Sequence, residues 1–202
     1  MVWNRRIGKA SWILALTLFL GSVVMAQDPS ATPGAKKKKP AVRSGLRLSS
    51  NSFPDGGMIP AQYTCKGKNI SPELNWKGAP PGTKSFAVIV DDPDAPTQTW
   101  VHWVLFNIPA KAAGMVGDTY ELSENFPRDE KTAEGITQGS NDFNKIGYDG
   151  PCPPNGVHRY YFKLYALDAP LPLAAGVTKD QLLRAIKGHQ LGYTQIMGLY
   201  GK

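Results

Sequence analysis

The residues that could do chemistry in this 202-residue sequence are acids, histidines and tyrosines beside glycine-proline loops. Acidic residues at 91–94 (DDPD) follow an apolar run, and His102 lies at the start of the next apolar run. A third segment begins at His158, shortly after a rigid loop at 147–154 (GYDGPCPP). One histidine in an apolar strand usually belongs to the core. Two histidines that each lie next to a rigid loop indicate a functional site.

Strong catalytic and metal-binding signatures are absent from the sequence. It contains no C-x-x-C, H-E-x-x-H or G-x-S-x-G motif, so zinc knuckles, zincin proteases and nucleophile-elbow hydrolases have no motif to support them. Residues 78–85 (GAPPGTKS) differ from a phosphate-binding loop in glycine spacing and precede a predicted strand, so we interpret them as a turn. Any chemistry must therefore come from residues of distant segments that meet in the fold.

The elements that position these residues are mostly short strands. Residues 86–90 (FAVIV) and 103–106 (WVLF) are apolar on both faces, which is typical of central strands covered on each side. In 158–166, side chains of alternate residues share one face, so the histidine at 158 and the tyrosine at 160 lie on the same side.

One helix is predicted. Thr178 and Gln181 are spaced as a capping box, and apolar residues follow at helical spacing. Gly188 or Gly192 would end this helix, and 193–200 follows as a last strand. Many short strands with one clear helix predict a mainly β fold, namely a β-sandwich with few peripheral helices.

The formal net charge of +7 belongs to the N-terminal part of the chain. Residues 1–26 and 27–44 carry +3 and +4, whereas 45–202 contain fifteen basic and fifteen acidic residues. A neutral folded part lacks the basic surface that nucleic-acid binding requires. We therefore expect no nucleic acid among the partners of this protein.

Three segments divide the chain. Residues 1–26 combine a basic start, an apolar run and a small-x-small sequence (VMA), which predicts a signal peptide; the alternative is an uncleaved membrane anchor. Residues 27–44 predict a disordered basic linker, either a solvated spacer or a membrane or cell-wall contact through its four lysines. Residues 45–202 are expected to form one domain. Export predicts a periplasmic or secreted protein.

Cys65 and Cys152 are the two cysteines of the sequence. In an exported protein they can pair, and chain-entropy arguments give a bridge across so long a loop about 4–5 kcal/mol of stabilisation. The alternative is two separate buried thiols, because sequence alone gives no distance between them. We expect the disulfide.

Three motifs follow each other at the ends of the predicted strands. They are 92–96 (DPDAP), 100–103 (WVHW) and 150–154 (GPCPP), the last followed by 158–160 (HRY). Together they resemble the signature blocks of the phosphatidylethanolamine-binding protein family, in particular its bacterial Raf kinase inhibitor-like branch. The opening region is also similar, through 53–57 (FPDGG), 59–60 (IP) and 71–76 (SPELNW). The similarity extends through nearly all of 46–202.

The resemblance implies a β-sandwich with a small pocket at one end that accepts a phosphate or similar anion. We expect no cofactor. Matched residue by residue, the pocket contains two acids, two histidines, a glycine and a tyrosine: Asp92, Asp94, His102, Gly150, His158 and Tyr160. Two residues depart from the family pattern. Asn144 stands where bacterial relatives usually have Gly, and Glu73 where they often have Pro.

The chemistry of such a pocket follows from its residue types. Imidazole N–H groups, the Tyr160 hydroxyl and backbone N–H groups donate to phosphate oxygens. Asp92 and Asp94 would orient a histidine, raise its proton affinity or receive an ammonium group; alternatively, they only hold their loop. If protonated histidine supplies the charge, affinity for phosphate rises as the pH falls through about 6.5.

Three classes of function are compatible with these residues. The first is an exported protein that binds a small anion (phosphate or phosphoethanolamine-like) or presents its surface to a protein partner as an inhibitor module. The resemblance implies inhibition of kinases or serine proteases, but export argues against a cytosolic kinase as the target. The second is a hydrolase that acts on phosphoryl or acyl esters with a histidine as general base. The third is a zinc or manganese site. We favour the binding protein, because no motif places a nucleophile beside the histidines and the glycine loop suits an oxyanion better than a metal.

Overall fold

The computed structural model describes residues 45–110, 119–132 and 134–202. The predicted signal peptide, residues 1–26, and the predicted linker, residues 27–44, lie outside these residues. Within the described ranges, no helix has the length and apolar character needed to cross a membrane.

The regular structure of the described residues is mostly β-strand. The strands are β1 (Arg47–Ser49), β2 (Leu74–Lys77), β3 (Ser85–Asp92), β4 (Trp100–Pro109), β5 (Thr119–Leu122), β6 (Thr137–Gln138), β7 (Val157–Leu167) and β8 (Gln190–Gly201). One α-helix, α1 (Lys179–Ile186), precedes β8, and a 3₁₀ turn covers Ala61–Tyr63.

The strands form two antiparallel sheets. The larger sheet has the order β6-β4-β3-β7-β8, and the smaller has the order β1-β2-β5. Buried residues from both sheets form one shared core. The predicted fold class, a mainly β sandwich with few helices, is therefore confirmed.

β3 is the central strand of the larger sheet, and all of its residues are buried. Phe86 and Val88 pack in the core between the sheets, whereas Ala87 and Ile89 pack on the opposite face together with residues of α1. Because both faces are covered, the strand needs an unbroken apolar run rather than an alternating one. The prediction that 86–90 is a buried strand is confirmed.

Buried and exposed positions alternate along β7, as predicted for 158–166. The buried positions on its inner face are His158, Tyr160, Phe162, Leu164 and Ala166. This periodicity carries the histidine and the tyrosine into the interior on the same side as the shared core.

The strands that carry the candidate site meet because β4 and β7 both pair antiparallel with β3. In an antiparallel pair, the end of one strand lies beside the start of the other. Asp92, at the end of β3, is opposite Trp100, at the start of β4. The start of β7 lies on the other side of β3. His102 and His158 are thus brought to the same edge of the sheet.

Asp91 joins α1 to the sheet. Its carboxylate is fully buried and lies 2.7 Å from Nζ of Lys163 in β7 and 2.6 Å from Nζ of Lys179, the first residue of α1. A buried carboxylate without partners would cost several kcal/mol. The two lysines therefore allow a buried acid near the end of the central strand, and they fix the start of the helix.

The capping box predicted for α1 is present. The Thr178 side chain accepts a hydrogen bond from the backbone N–H of Gln181, and Oε1 of Gln181 accepts one from the backbone N–H of Thr178 at 2.8 Å. The helix ends at Ile186, and Gly188 follows with a φ of 97°. The earlier of the two predicted stop signals therefore lies at the helix end.

Replacing Thr178 with Ala removes one half of the capping box. We expect the free energy of unfolding to fall by about 1 kcal/mol, because the hydroxyl satisfies an N–H group that has no partner within the helix. Urea denaturation followed by circular dichroism measures the change. Thr178→Ser keeps the acceptor and is the matched control. An equal loss in both variants would contradict the role assigned to the cap.

Candidate functional site

A cavity of about 330 Å³ opens at the edge where β3 ends and β4 and β7 begin. Its lining has a buried polar floor, formed by Asp92, His102, His158 and Tyr160. The more exposed part of the lining is an apolar mouth, formed by Ala95, Pro96, Trp100 and Phe143. Thr97 and residues 152–154 complete the lining.

A larger groove of about 700 Å³ lies elsewhere, along β1, β2 and the middle of β8. Among the described residues, its lining contains neither histidine nor cysteine, and its charged members are Arg47, Asp55 and Lys77. Buried titratable groups that converge on one space mark a site for chemistry better than volume does. We therefore take the smaller cavity as the candidate site.

His158 is held by Asp92. Its Nδ1 lies 2.7 Å from Oδ2 of Asp92, and the two side chains are only 10% and 4% exposed. An ionised carboxylate accepts and does not donate, so Nδ1 carries the proton of this bond. The ring therefore presents Nε2 as its remaining polar atom.

His102 is held by a backbone carbonyl. Its Nδ1 lies 2.6 Å from the carbonyl oxygen of Asp149, so Nδ1 donates to that oxygen. Burial lowers the pKa of His102, although the hydrogen bond to Asp149 and the charge of Asp92 act in the opposite direction. The neutral ring has an unprotonated Nε2, which accepts a hydrogen bond.

These tautomers correct one expectation about the donors of the site. In the neutral rings of His102 and His158, the single N–H group of each is used inside the protein. Either ring donates to an anion only after Nε2 takes a second proton. An anion that accepts a hydrogen bond from either Nε2 therefore requires a proton on that atom, whereas the Tyr160 hydroxyl already carries one.

Tyr160 lies beside both histidines. Its ring centroid is 5.2 Å from that of His102 and 6.5 Å from that of His158. The residue is fully buried, and its hydroxyl has no hydrogen bond of standard geometry among the described residues. Burial and then the negative charge of Asp92 raise the pKa of Tyr160. The phenol therefore stays protonated and lies near the carboxylate of Asp92, without a standard hydrogen bond to it.

Asp94, predicted as a pocket residue, does not line the cavity. Its carboxylate accepts side-chain hydrogen bonds of 2.9 and 2.6 Å from Arg159, and a third bond of 2.9 Å from the Arg159 backbone N–H. These contacts tie the loop after β3 to β7. Asp94 therefore has the alternative role given above for the two acids, that of holding their loop. Asp92 both orients a histidine and holds the loop. Its Oδ2 contacts Nδ1 of His158, and its Oδ1 accepts a hydrogen bond from the backbone N–H of Asp94 at 2.8 Å.

Gly150 also lies outside the cavity lining. Its backbone N–H donates to Oδ1 of Asn69 at 2.7 Å, so this donor serves the protein rather than a ligand. A Cβ atom at this position would lie 2.1 Å from the carbonyl oxygen of Tyr63. Only glycine permits the chain to approach so closely.

Asp149 is a positioning residue that the sequence did not reveal. Its buried carboxylate accepts hydrogen bonds from three side chains: Asn69 and Asn141 at 3.0 Å each, and Lys145 at 3.3 Å. Burial acts to raise the pKa of Asp149, but these hydrogen bonds outweigh burial and lower it. These three hydrogen bonds fix the position of Asp149, whose backbone carbonyl orients His102. Asn69 lies 80 residues away in the chain, so no local motif marks the contact.

The two departures from the family pattern are accommodated locally. Asn144 has a φ of 57°, a left-handed conformation that glycine adopts freely and asparagine tolerates. Glu73 accepts a hydrogen bond from Asn51 at 2.7 Å. Neither departure changes the lining of the cavity.

Cys65 and Cys152 form a disulfide, with their Cα atoms 5.4 Å apart. The predicted pairing is confirmed. It joins the segment after the 3₁₀ turn to the loop that precedes β7, and Cys152 contributes to the lining of the cavity.

Two packed β-sheets with a small histidine- and tyrosine-lined cavity at one edge define a class of ligand-binding modules. The family model of the phosphatidylethanolamine-binding proteins matches residues 49–201. The chain therefore belongs to the phosphatidylethanolamine-binding protein family, and the predicted resemblance is confirmed. Membership supports a ligand-binding, inhibitor-like module in general.

Relatives and solved structures agree with this assignment. A "UPF0098 protein" of Methanothermobacter thermautotrophicus is 50% identical over 155 residues, which cover 77% of this chain and 98% of the relative. Another, from Aquifex aeolicus, is 45% identical over 158 residues, covering 77% and 88%. The structure of CT736, a phosphatidylethanolamine-binding protein homologue from Chlamydia trachomatis, has a TM-score of 0.69 at 38% identity and covers 79% of this chain and 99% of its own. YbcL of E. coli has a TM-score of 0.69 at 34% identity, covering 78% and 98%.

The pair formed by Asp94 and Arg159 makes stability depend on pH in acid. The hydrogen bond from Arg159 holds the pKa of Asp94 at about 2, below its ordinary value of 3.8. The contribution of the pair is therefore present above the ordinary value and is lost as the pH falls toward 2. We expect Asp94→Asn to have a small stability deficit at pH 6 that disappears near pH 2. Urea titrations at pH 6, 4 and 2 measure it, and a deficit that is constant across this range would contradict the assignment.

Proposed function

We propose that this protein is an exported, non-catalytic binding protein whose cavity takes a small anion, either free phosphate or the phosphate of a phosphoethanolamine-like molecule. Family membership supports a ligand-binding module. The signal-peptide pattern of residues 1–26 supports export to the periplasm or to the medium. The disulfide supports the same compartments, because such bonds persist where the environment is oxidising.

The observation that carries the proposal is the hydroxyl of Tyr160, which has no hydrogen bond of standard geometry to any residue that the structure describes. Buried polar atoms almost always have a hydrogen-bond partner, so a buried donor on a cavity wall points to a ligand that supplies an acceptor. Two imidazoles lie beside it, with ring centroids 5.2 and 6.5 Å away. All three side chains line the same cavity, and a phosphate offers acceptors in several directions.

The negative charge of the anion would be balanced by protonated histidines rather than by lysine or arginine side chains. Neither lysine nor arginine lines this cavity in the described part of the chain. A proton on Nε2 of either histidine converts an acceptor into a charged donor, and such charge-assisted hydrogen bonds are about twice as strong as neutral ones. The carboxylate of Asp92, on the polar floor, is available to the ammonium of a phosphoethanolamine-like ligand.

The volume of the cavity favours a small ligand. Binding sites for small molecules usually measure about 300–1,000 Å³, and this cavity lies near the lower limit at about 330 Å³. A phosphate or a short phosphoester fits that volume.

The distribution of charge along the chain indicates which larger partners the protein can have. The neutral segment 45–202 offers no basic surface to nucleic acid. The four consecutive lysines at 36–39 suit contact with an anionic membrane or cell-wall polymer. A protein partner, as for an inhibitor module, is also part of the proposal.

Tyr160→Phe tests the binding function with a minimal change, because it removes the hydroxyl and keeps the ring in the core. We expect affinity for inorganic phosphate to fall by about tenfold or more, the usual effect of losing a hydrogen bond to a charged group. Equilibrium dialysis with labelled phosphate measures the dissociation constant. Thermal unfolding should show little loss of stability, since the hydroxyl makes no hydrogen bond of standard geometry with the described residues.

Tyr161→Phe is the matched control. Its side chain lies on the opposite face of β7, outside the cavity lining, and we expect unchanged phosphate affinity. Equal effects of the two variants, or no binding by the unmodified protein, would remove the anion site. Hydrolysis of p-nitrophenyl phosphate or acetate by the unmodified protein, lost in His102→Ala, would replace the binding function with the hydrolase alternative.

Anion affinity should depend on pH through the histidines. We expect sulfate, whose charge is constant in this range, to bind more tightly as the pH falls from 8 to 5.5, by about tenfold per pH unit where one proton is taken up. Because burial lowers the pKa of His102, the gain from that ring continues below pH of about 6.5. Calorimetric titration measures the effect. Equal sulfate affinity at both limits would show that no histidine takes up a proton on binding.

A further inference from the structure

Residues 152–154, which we call the proline wall, separate the candidate cavity from a second cavity of about 230 Å³. Cys152, Pro153 and Pro154 line both cavities. A wall with space on both sides has few packing contacts to hold it in place. Its position therefore depends on how the chain is tied at this point.

The proline wall is held in place mainly by a covalent bond, the disulfide of Cys152. Pro153 and Pro154 have no N–H group to donate, and residues 153–155 make no hydrogen bond among the described residues. Just before the wall, the carbonyl of Pro151 accepts a hydrogen bond of 3.1 Å from the backbone N–H of Cys65. The disulfide between Cys65 and Cys152 then fixes the wall itself.

The wall contributes to the polar floor as well as to the lining. Burial dominates the raised pKa of Tyr160, but the backbone N–H of Cys152 acts against it, because that N–H lies beside the hydroxyl. Movement of the wall would therefore shift Cys152 relative to Tyr160, which lines the same cavity. It would also open the cavity on its proline side.

The disulfide is accessible from solvent. Cys65 and Cys152 are both exposed residues, and both line the second cavity, which can admit a small thiol. Lys66 follows Cys65 in the chain and lines the same cavity. An ammonium group near a cysteine stabilises the thiolate that leaves when a disulfide is attacked.

We propose that the Cys65–Cys152 disulfide is a dithiol-reducible bond that sets the anion affinity of the candidate cavity, with the oxidised protein as the tighter-binding form. This inference rests on the proposed function. The reductant is of the dithiol class, either a small dithiol or a dithiol oxidoreductase. After reduction, the proline wall has to be ordered each time an anion binds, which weakens binding.

The exchange proceeds in two steps. One thiolate of the dithiol attacks a cysteine sulfur, so that a mixed disulfide forms and the other cysteine leaves as a thiolate. The second thiol of the reductant then displaces the first cysteine. Two electrons and two protons pass to the protein, which gains two thiols, and the reductant becomes a disulfide.

Equilibrium dialysis with labelled inorganic phosphate tests the proposal on three samples: the oxidised protein, the protein kept in dithiothreitol, and Cys65→Ser. Cys65 does not line the candidate cavity, so this substitution removes the bond without removing a cavity residue. We expect the reduced and Cys65→Ser proteins to bind about threefold to thirtyfold more weakly, the range for re-ordering one or two loop residues. Dithiothreitol should have no further effect on Cys65→Ser.

Hydrogen exchange distinguishes a freed wall from an unfolded protein. We expect amides of β3, β4 and β7 to stay protected in the reduced protein while exchange accelerates at 150–156. Equal phosphate affinity in oxidised and reduced protein would overturn the proposal. So would loss of protection in the strands, or a disulfide that dithiothreitol cleaves only in denaturant. Failure of the oxidised protein to bind phosphate would instead contradict the proposed function.

Discussion

The pairing of β4 and β7 on either side of β3 is the constraint on which the candidate site depends. Antiparallel pairing places the end of β3 between the starts of its two neighbours. Three polar strand ends therefore meet at the margin of a hydrophobic core, where water is scarce. Polar groups in such a place destabilise the fold unless each has a partner, so the pairing of strands creates both the site and the need to satisfy it.

Most of the polar side chains on the floor of the cavity have hydrogen-bond partners, and one has none of standard geometry among the described residues. Asp92 and His158 satisfy each other, and His102 is satisfied by a carbonyl whose own residue is clasped by Asn69 and Asn141. Each of these contacts uses the Nδ1 side of an imidazole and leaves Nε2 free of the network. Among the described residues, the Tyr160 hydroxyl has no hydrogen bond of standard geometry. Well-satisfied groups thus hold the frame, and the unsatisfied group indicates where a ligand contributes.

The fold could be predicted from the sequence because the signals for it are local. An unbroken apolar run marked β3, period-two alternation marked the buried face of β7, and a capping box marked α1. The site could be predicted only in part, because its geometry depends on contacts between distant segments. Asp92 and Asp94 lie two residues apart in the same loop, and nothing local shows that Asp94 turns toward Arg159. The support that Asp149 receives from Asn69 was beyond prediction for the same reason.

The division of the cavity into a polar floor and an apolar mouth separates two properties that many binding sites combine. The floor belongs to strands and to buried hydrogen bonds, so a substitution there disturbs folding and binding together. The mouth is built from more exposed side chains such as Ala95, Pro96 and Phe143, whose replacement alters no hydrogen bond of the floor. Related proteins can therefore differ in the ligands that enter the cavity while they keep the same polar floor. Substitutions in the mouth offer a protein engineer the same route to new selectivity.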